Sequence, residues 1–166
     1  MLTRLKTFIA AIAIISCVAA TRAQDFSFTT PTGENVPVSG MRGKVVVLLF
    51  SGVQDPQRRE GLKALGSLGD RFQGKDVKVC WVSVNPPSEM SNDQLKSAGG
   101  GGSVVVLRDA NQAAFKRYSG KVGQLPTIVV LDRQGSPFGQ PRGGFNPNSD
   151  FINELAATID NLLQRK

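Results

Sequence analysis

Six consecutive apolar residues, Val45-Val46-Val47-Leu48-Leu49-Phe50, constrain this chain more than any other stretch. The run is too short for a helix of ordinary length and offers no polar side chain to water. It suits a strand covered on both faces, as in the centre of a largely parallel sheet. Ser51 to Gln54 then turn the chain, and Asp55-Pro56 reads as a helix start. Asp55 can cap the free amides, while Pro56 at the first helical position forgoes a hydrogen bond it would not make. A strand that delivers a helix N-terminus creates a place where unpaired amides and the helix dipole stabilise negative charge.

The rest of the chain supplies partners for that strand. Asp25 to Val38 alternates, turns at Pro31-Thr32-Gly33 and resumes, which predicts a small β-hairpin. Leu62, Leu65, Leu68 and Phe72 recur at helical spacing after Asp55, and Gln73-Gly74-Lys75 stops the helix. Val77 to Val84 reads as a strand that carries Cys80 and Trp81, and Met90 to Ala98 as a short helix. The four glycines Gly99 to Gly102 form a connector; a phosphate-cradling loop would need a following Lys-Ser/Thr that is missing. Ser103 to Leu107 is a further buried-type strand, and Asp109 is placed to cap a helix ending near Gly120. Ile128 to Leu131 is a strand closed by the turn Asp132 to Gly135. The Pro- and Gly-rich segment from Ser136 to Phe145 then suits an edge strand. Asn148 or Ser149 starts a last helix, with Phe151, Ile152, Leu155, Ile159, Leu162 and Leu163 on its apolar face. The order is hairpin, β-α-β-α-β-α, then β-β-α, an α/β chain with helices on both faces of a mixed sheet.

The 166 residues include no histidine and two cysteines, Cys17 and Cys80. The first absence removes His-based catalysis and the ordinary zinc and copper sites, so no metal or cofactor is expected. Residues 1–23 resemble a secretory signal: Arg4 and Lys6, an apolar stretch from Phe8 to Ala20, then Thr21-Arg22-Ala23 before Gln24. Val18-Ala19-Ala20 offers a second cleavage site. Ile14-Ile15-Ser16-Cys17 admits a lipobox reading, in which a lipid on Cys17 would hold the protein at a membrane. Cleavage after Ala23 would remove three cations and no acid, lowering the formal charge from +7 to +4. The remaining cations are scattered, which argues against a nucleic-acid partner. Such a mature chain, residues 24–166, would hold one cysteine and no internal disulfide, although an exported compartment permits them.

Several segments together resemble the thioredoxin-like superfamily, in particular its exported redoxin branch of TlpA-like thiol–disulfide oxidoreductases and their peroxiredoxin relatives. The carriers are Asp25-Phe26-Ser27-Phe28 through Gly33, Arg42-Gly43-Lys44-Val45-Val46-Val47, Asp109 to Tyr118, and Gly123-Gln124-Leu125-Pro126-Thr127 with Ile128 to Asp132. The resemblance implies a thioredoxin-like fold and makes Pro126 the family's cis-proline. Leu125, Pro126 and Thr127 would then form one wall of a groove for an extended peptide. One departure matters more than the match. The family's turn reads Phe-Trp-Ala-x-Trp-Cys-Pro-x-Cys-Arg, and here it reads Phe50-Ser51-Gly52-Val53-Gln54-Asp55-Pro56-Gln57-Arg58-Arg59. Asp55 and Arg58 stand at the two cysteine positions, and a peroxiredoxin would also need a cysteine in this region. Thiol–disulfide exchange requires a thiolate attacking sulfur, so a dithiol reaction cannot occur at Asp55-Pro56-Gln57-Arg58.

Two function classes follow. One is an exported, redox-inactive domain that keeps the groove and binds a protein or peptide. The other is an oxidoreductase or peroxiredoxin-like enzyme acting through Cys80, which would need exposure and a lowered pKa there. Cys80 in a Val-rich strand reads more simply as a packed thiol, and Trp81, on the opposite face, as core. Arg58 and Arg59 sit where the helix dipole disfavours cations. A pairing with Asp55 would offset this, and an anion held by the two arginines and the helix amides is the sharper expectation.

Overall fold

The computed structural model describes residues 25–99, 102–144 and 148–165. The signal segment, Cys17, Gly100, Gly101 and Phe145 lie outside these, and so do the readings made of them.

The hairpin forms as β1 (Ser27–Thr29) and β2 (Asn35–Pro37), followed by a 3-10 turn at Val38–Met41. The apolar run becomes β3 (Val45–Ser51), and all seven of its residues are buried. It pairs in parallel with β4 (Val77–Ser83), which pairs in parallel with β5 (Val104–Arg108). On its other side β3 runs antiparallel to β6 (Thr127–Leu131), which pairs with the edge strand β7 (Pro137–Gly143). The seven-stranded sheet has the order β2-β1-β5-β4-β3-β6-β7. This is the thioredoxin-like α/β architecture expected from the sequence.

Period-two geometry divides β3 between two cores. Val45, Val47 and Leu49 face α1 (Arg58–Arg71), α2 (Asn92–Ala98) and α4 (Ser149–Gln164), through Leu65, Leu68, Leu95, Leu155 and Ile159. Val46, Leu48 and Phe50 face the other way, toward Val38, Met41 and, on α3 (Ala113–Ser119), Ala114 and Phe115. Each fully buried Leu or Phe contributes about 1.5–3 kcal/mol, so β3 anchors both layers at once. Gly69 lets α1 lie close to the sheet, because a Cβ there would stand 2.7 Å from that of Ser103.

Three helix starts differ from the sequence reading. α1 begins at Arg58, with Gln57 at the cap position and no side-chain cap. Pro56 therefore belongs to the preceding turn rather than to the first helical position. α2 begins at Asn92 rather than Met90, because Ser91 and Gln94 form a reciprocal capping box. α3 has Gln112 at its cap position in a left-handed conformation (φ 56°), so Asp109 is not the adjacent cap. That left-handed residue turns the helix amides back toward Asp109, whose Oδ2 accepts the Phe115 N–H at 2.7 Å. Asn148 caps α4 by accepting the Phe151 N–H at 2.9 Å.

Candidate functional site: the turn between β3 and α1

β3 ends at Ser51, and the next six residues bring the chain over the sheet end into α1. Asn85, past the end of neighbouring β4, holds this turn from below. Its Oδ1 accepts the Val53 N–H at 2.7 Å, and its Nδ2 donates to Glu89 Oε2 at 2.6 Å. Asp55 closes the turn on itself. Its amide donates to the Gly52 carbonyl at 3.2 Å, its own carbonyl accepts the Arg58 N–H at 3.2 Å, and Oδ1 accepts the Gln57 N–H at 2.9 Å. The carboxylate thus lies on the amides that begin the helix, although it does not stand at the cap position. Its other oxygen, Oδ2, is buried without a hydrogen-bond partner among the described residues. Pro56 is exposed beside it.

Arg58 does not pair with Asp55: among the described residues no ion pair joins them. Its guanidinium carbon lies instead 5.9 Å from the centroid of the Trp81 ring, on the β4 side of the turn. The negative face of the indole offsets a cation's unfavourable place in a first helical turn, typically by about 0.5–2 kcal/mol. Trp81 is fixed in turn by donating its Nε1–H to Ser51 Oγ at 2.8 Å. Ser51, at a family tryptophan position, is therefore the acceptor for a different tryptophan. Arg58 Nη1 is buried without an acceptor, while Arg59 is exposed.

Across β3 lies the second wall. The Leu125–Pro126 peptide bond is cis, Pro126 and Thr127 are buried, and Leu125 is half-buried. Thr127 pairs with Phe50 in the β3–β6 register, which sets the Pro126 loop against the end of β3. A Cβ at Gly52 would stand 3.9 Å from Leu125 Cδ1, so turn and loop face each other. The Pro126 carbonyl accepts the Gly144 N–H at 2.8 Å, and the Thr127 hydroxyl donates to the Gln124 carbonyl. Among the described residues nothing bonds the N–H or the carbonyl of Leu125.

Cys80 is remote from this cleft. It pairs with Leu48, three residues before the end of β3, and it is completely buried among Leu48, Val82 and Leu107. Burial pushes its thiol from the ordinary 9.0 up to about 12, so at neutral pH it holds its proton. The structure thus sets Gly52, at the head of the turn that carries Asp55, Pro56, Gln57 and Arg58, against Leu125 beside Pro126 and Thr127, turns Arg58 toward Trp81, and leaves Cys80 outside.

Two supports escaped the sequence reading. In sequence Asn85 only ends a strand before Pro86-Pro87; its service to Val53 crosses 32 residues. Arg108, 2% exposed, donates from Nη1 to the Asn85 carbonyl at 2.6 Å and from Nη2 to the Met90 carbonyl at 2.7 Å, bracing the loop that carries Asn85. The one available signal was a charged pair, Arg108-Asp109, closing an apolar strand.

The profile of the AhpC/TSA family matches residues 19–136. No curated protein matches the chain. Among solved structures, a provisionally named thiol:disulfide interchange protein DsbE from Chlorobium tepidum is 22% identical, covers 85% of this chain and 94% of its own, and superposes with a TM-score of 0.69. A provisionally named protein disulfide isomerase from Bacteroides thetaiotaomicron is also 22% identical, with 85% and 87% covered and a TM-score of 0.68. The exposed lipoprotein thioredoxin Etrx1 of Streptococcus pneumoniae is 20% identical, with 81% and 98% covered and a TM-score of 0.63. At these identities the likeness is one of fold.

Proposed function

We infer that this chain, which belongs to the AhpC/TSA family, works as a redox-inactive thioredoxin-like module that binds an extended peptide or protein segment outside the cytoplasm. The observation that carries the reading is the position of sulfur. The one cysteine among the described residues is buried in β4, while a carboxylate and a guanidinium stand where a dithiol would act. A carboxylate does not attack a disulfide, and a thiol held protonated in a core does not either.

The cleft between the Gly52–Val53 turn and Leu125 supports the binding half. Leu125 offers an N–H and a carbonyl with no partner among the described residues, beside a backbone held by Pro126. An added strand could take both bonds, with its side chains set alternately into and out of the cleft. Export rests on residues 1–23, with cleavage after Ala23 and a lipid on Cys17 as the rival outcome. Mass measurement of the mature N-terminus in the exported fraction decides between them.

The test of the whole reading is insulin reduction by the purified protein with dithiothreitol as electron source. No acceleration is expected over reductant alone. Turnover that disappears in Cys80→Ser would overturn the inference in favour of an enzyme acting through Cys80. In parallel, the exported fraction is passed over the wild-type protein and a Pro126→Ala variant. A partner held by both chains alike would place binding elsewhere than the Leu125–Pro126 cleft.

A further inference from the structure

On the side of the turn away from Leu125, α1 and the end of α2 enclose a groove of about 520 Å³, lined by Arg58, Arg59, Leu62, Lys63, Ala98 and Gly99 among others. Helical spacing assembles its charged wall: Arg59 and Lys63 lie four residues apart, and so do Arg58 and Leu62. All three cations sit in the N-terminal half of α1, two of them in its first turn, where the dipole opposes them.

Five other cations among the described residues meet carboxylates, and eight, Lys78 and Lys116 among them, do not. Arg71 and Lys75 meet Asp160, Lys44 and Arg133 meet Asp76, and Arg142 meets Glu154. Among the described residues Arg58, Arg59 and Lys63 have no such ion pair, and no acid lines the groove. Glu60 lies with Asp55 and Pro56 in a neighbouring depression that Arg58 and Arg59 also line. Two of the amides at this helix start, those of Gln57 and Arg58, are already bonded to Asp55.

We propose that this α1–α2 groove is a binding site for a small amphiphilic anion, a carboxylate or phosphate monoester with an apolar body. The exposed Arg59 guanidinium and Lys63 ammonium take the head group, and Arg58, held over Trp81, adds its charge from behind them. Leu62 and Ala98 give the body an apolar floor, and the volume falls within the roughly 300–1,000 Å³ usual for small-molecule sites. An acidic protein segment is the rival occupant, but a concave groove with an apolar floor favours a compact ligand over a chain. The site lies beyond β4, whereas the peptide cleft opens toward β6, so each stands or falls alone.

The test is an amide-shift titration of the purified protein with octyl phosphate below its micelle threshold, beside inorganic phosphate, octanol and a Glu-rich decapeptide. Octyl phosphate is expected to move the amides of Leu62, Lys63, Gly66 and Ser97 to Gly99 saturably, and to bind at least about tenfold more tightly than phosphate or octanol. The exposed pair Arg59→Gln/Lys63→Gln should weaken it about tenfold or more without disturbing amides of the sheet. Raising salt from about 50 to about 300 mM should weaken the wild type and hardly the variant. Absent shifts, equal binding of octanol, indifference to the double substitution, or tighter binding of the decapeptide would each overturn the proposal, the last in favour of a protein-docking face.

Discussion

The buried thiol of Cys80 gives a prediction that bears on function through stability. Cys80 is an acid whose folded pKa, about 12, lies above its ordinary 9.0 because burial penalises the thiolate. Between those values the unfolded chain has shed a proton that the native state still holds, so stability falls as pH rises. This contribution is complete below about pH 9 and is lost progressively as pH climbs through about 12. Raising pH from about 8 to about 10 should therefore cost on the order of 1 kcal/mol through this one group. Tyr118, also raised by burial, acts in the same direction and must be cancelled by comparison. Urea unfolding of wild type and Cys80→Ala at both pH values isolates the cysteine, since the cavity left by alanine costs the same at each. The wild type should lose on the order of 1 kcal/mol more than the variant. The same shift predicts slow thiol labelling: at pH 8 about one thiol in ten is ionised when free, and about one in ten thousand at a pKa of about 12. Equal losses in the two chains, or native labelling as fast as that of a free thiol, would refute the burial argument. It would also reopen Cys80 as a redox group.

Other consequences concern the turn and its walls. Asn85→Ala leaves the Val53 amide unpaired and should cost about 1–3 kcal/mol in urea unfolding; a loss under about 0.5 would show that the turn is held otherwise. Gly143→Ala places a Cβ 2.4 Å from Val122 Cγ1 and 3.3 Å from the Gln124 carbonyl, displacing the loop before Pro126. It should shift the Leu125 and Thr127 amides, and Val122→Ala in the same chain should restore most of their positions; an unchanged spectrum would count against the contact. Asp55→Cys with Arg58→Cys places two sulfurs at a helix N-terminus, where thiolate is stabilised, and should confer insulin reduction absent from the wild type. A folded double variant without activity would mean that the cleft has lost more than its sulfurs.

How much of this was legible in sequence depended on the range of the interaction. The run Val45 to Phe50 announced its own environment, since a strand without polar residues can only be covered on both faces, and all of β3 is buried. The hairpin, the stop at Gly74 and the cap by Asn148 rest on neighbours within a few residues and were read correctly. The start of α1 was misplaced because Asp55 spends its carboxylate on Gln57, one turn before the helix is regular. The cap of α3 was misread for a related reason: the left-handed Gln112 lets Asp109 reach the helix from a distance. Nothing local marks Asn85 as the support of Val53, or Trp81 as the platform of Arg58. Both contacts exist only after β3 and β4 are side by side.

Asp55 and Arg58 are best understood together through the charge that a helix N-terminus invites. In a redox turn that charge is a thiolate, transient and reactive, and the amides around it lower the cost of forming it. Here a carboxylate takes that place and already holds the Gln57 amide. The Gln57 and Arg58 amides are thereby satisfied from within the turn. A cation three residues later would be expected to close on that carboxylate, yet Arg58 turns the other way and lies over Trp81. The two substitutions therefore divide the old site. One half, facing Leu125, keeps backbone groups without a partner among the described residues. The other, facing α2, gathers unpaired cations over an apolar floor. On the two proposals above, one helix start serves two recognition surfaces, one toward Leu125 and one toward α2.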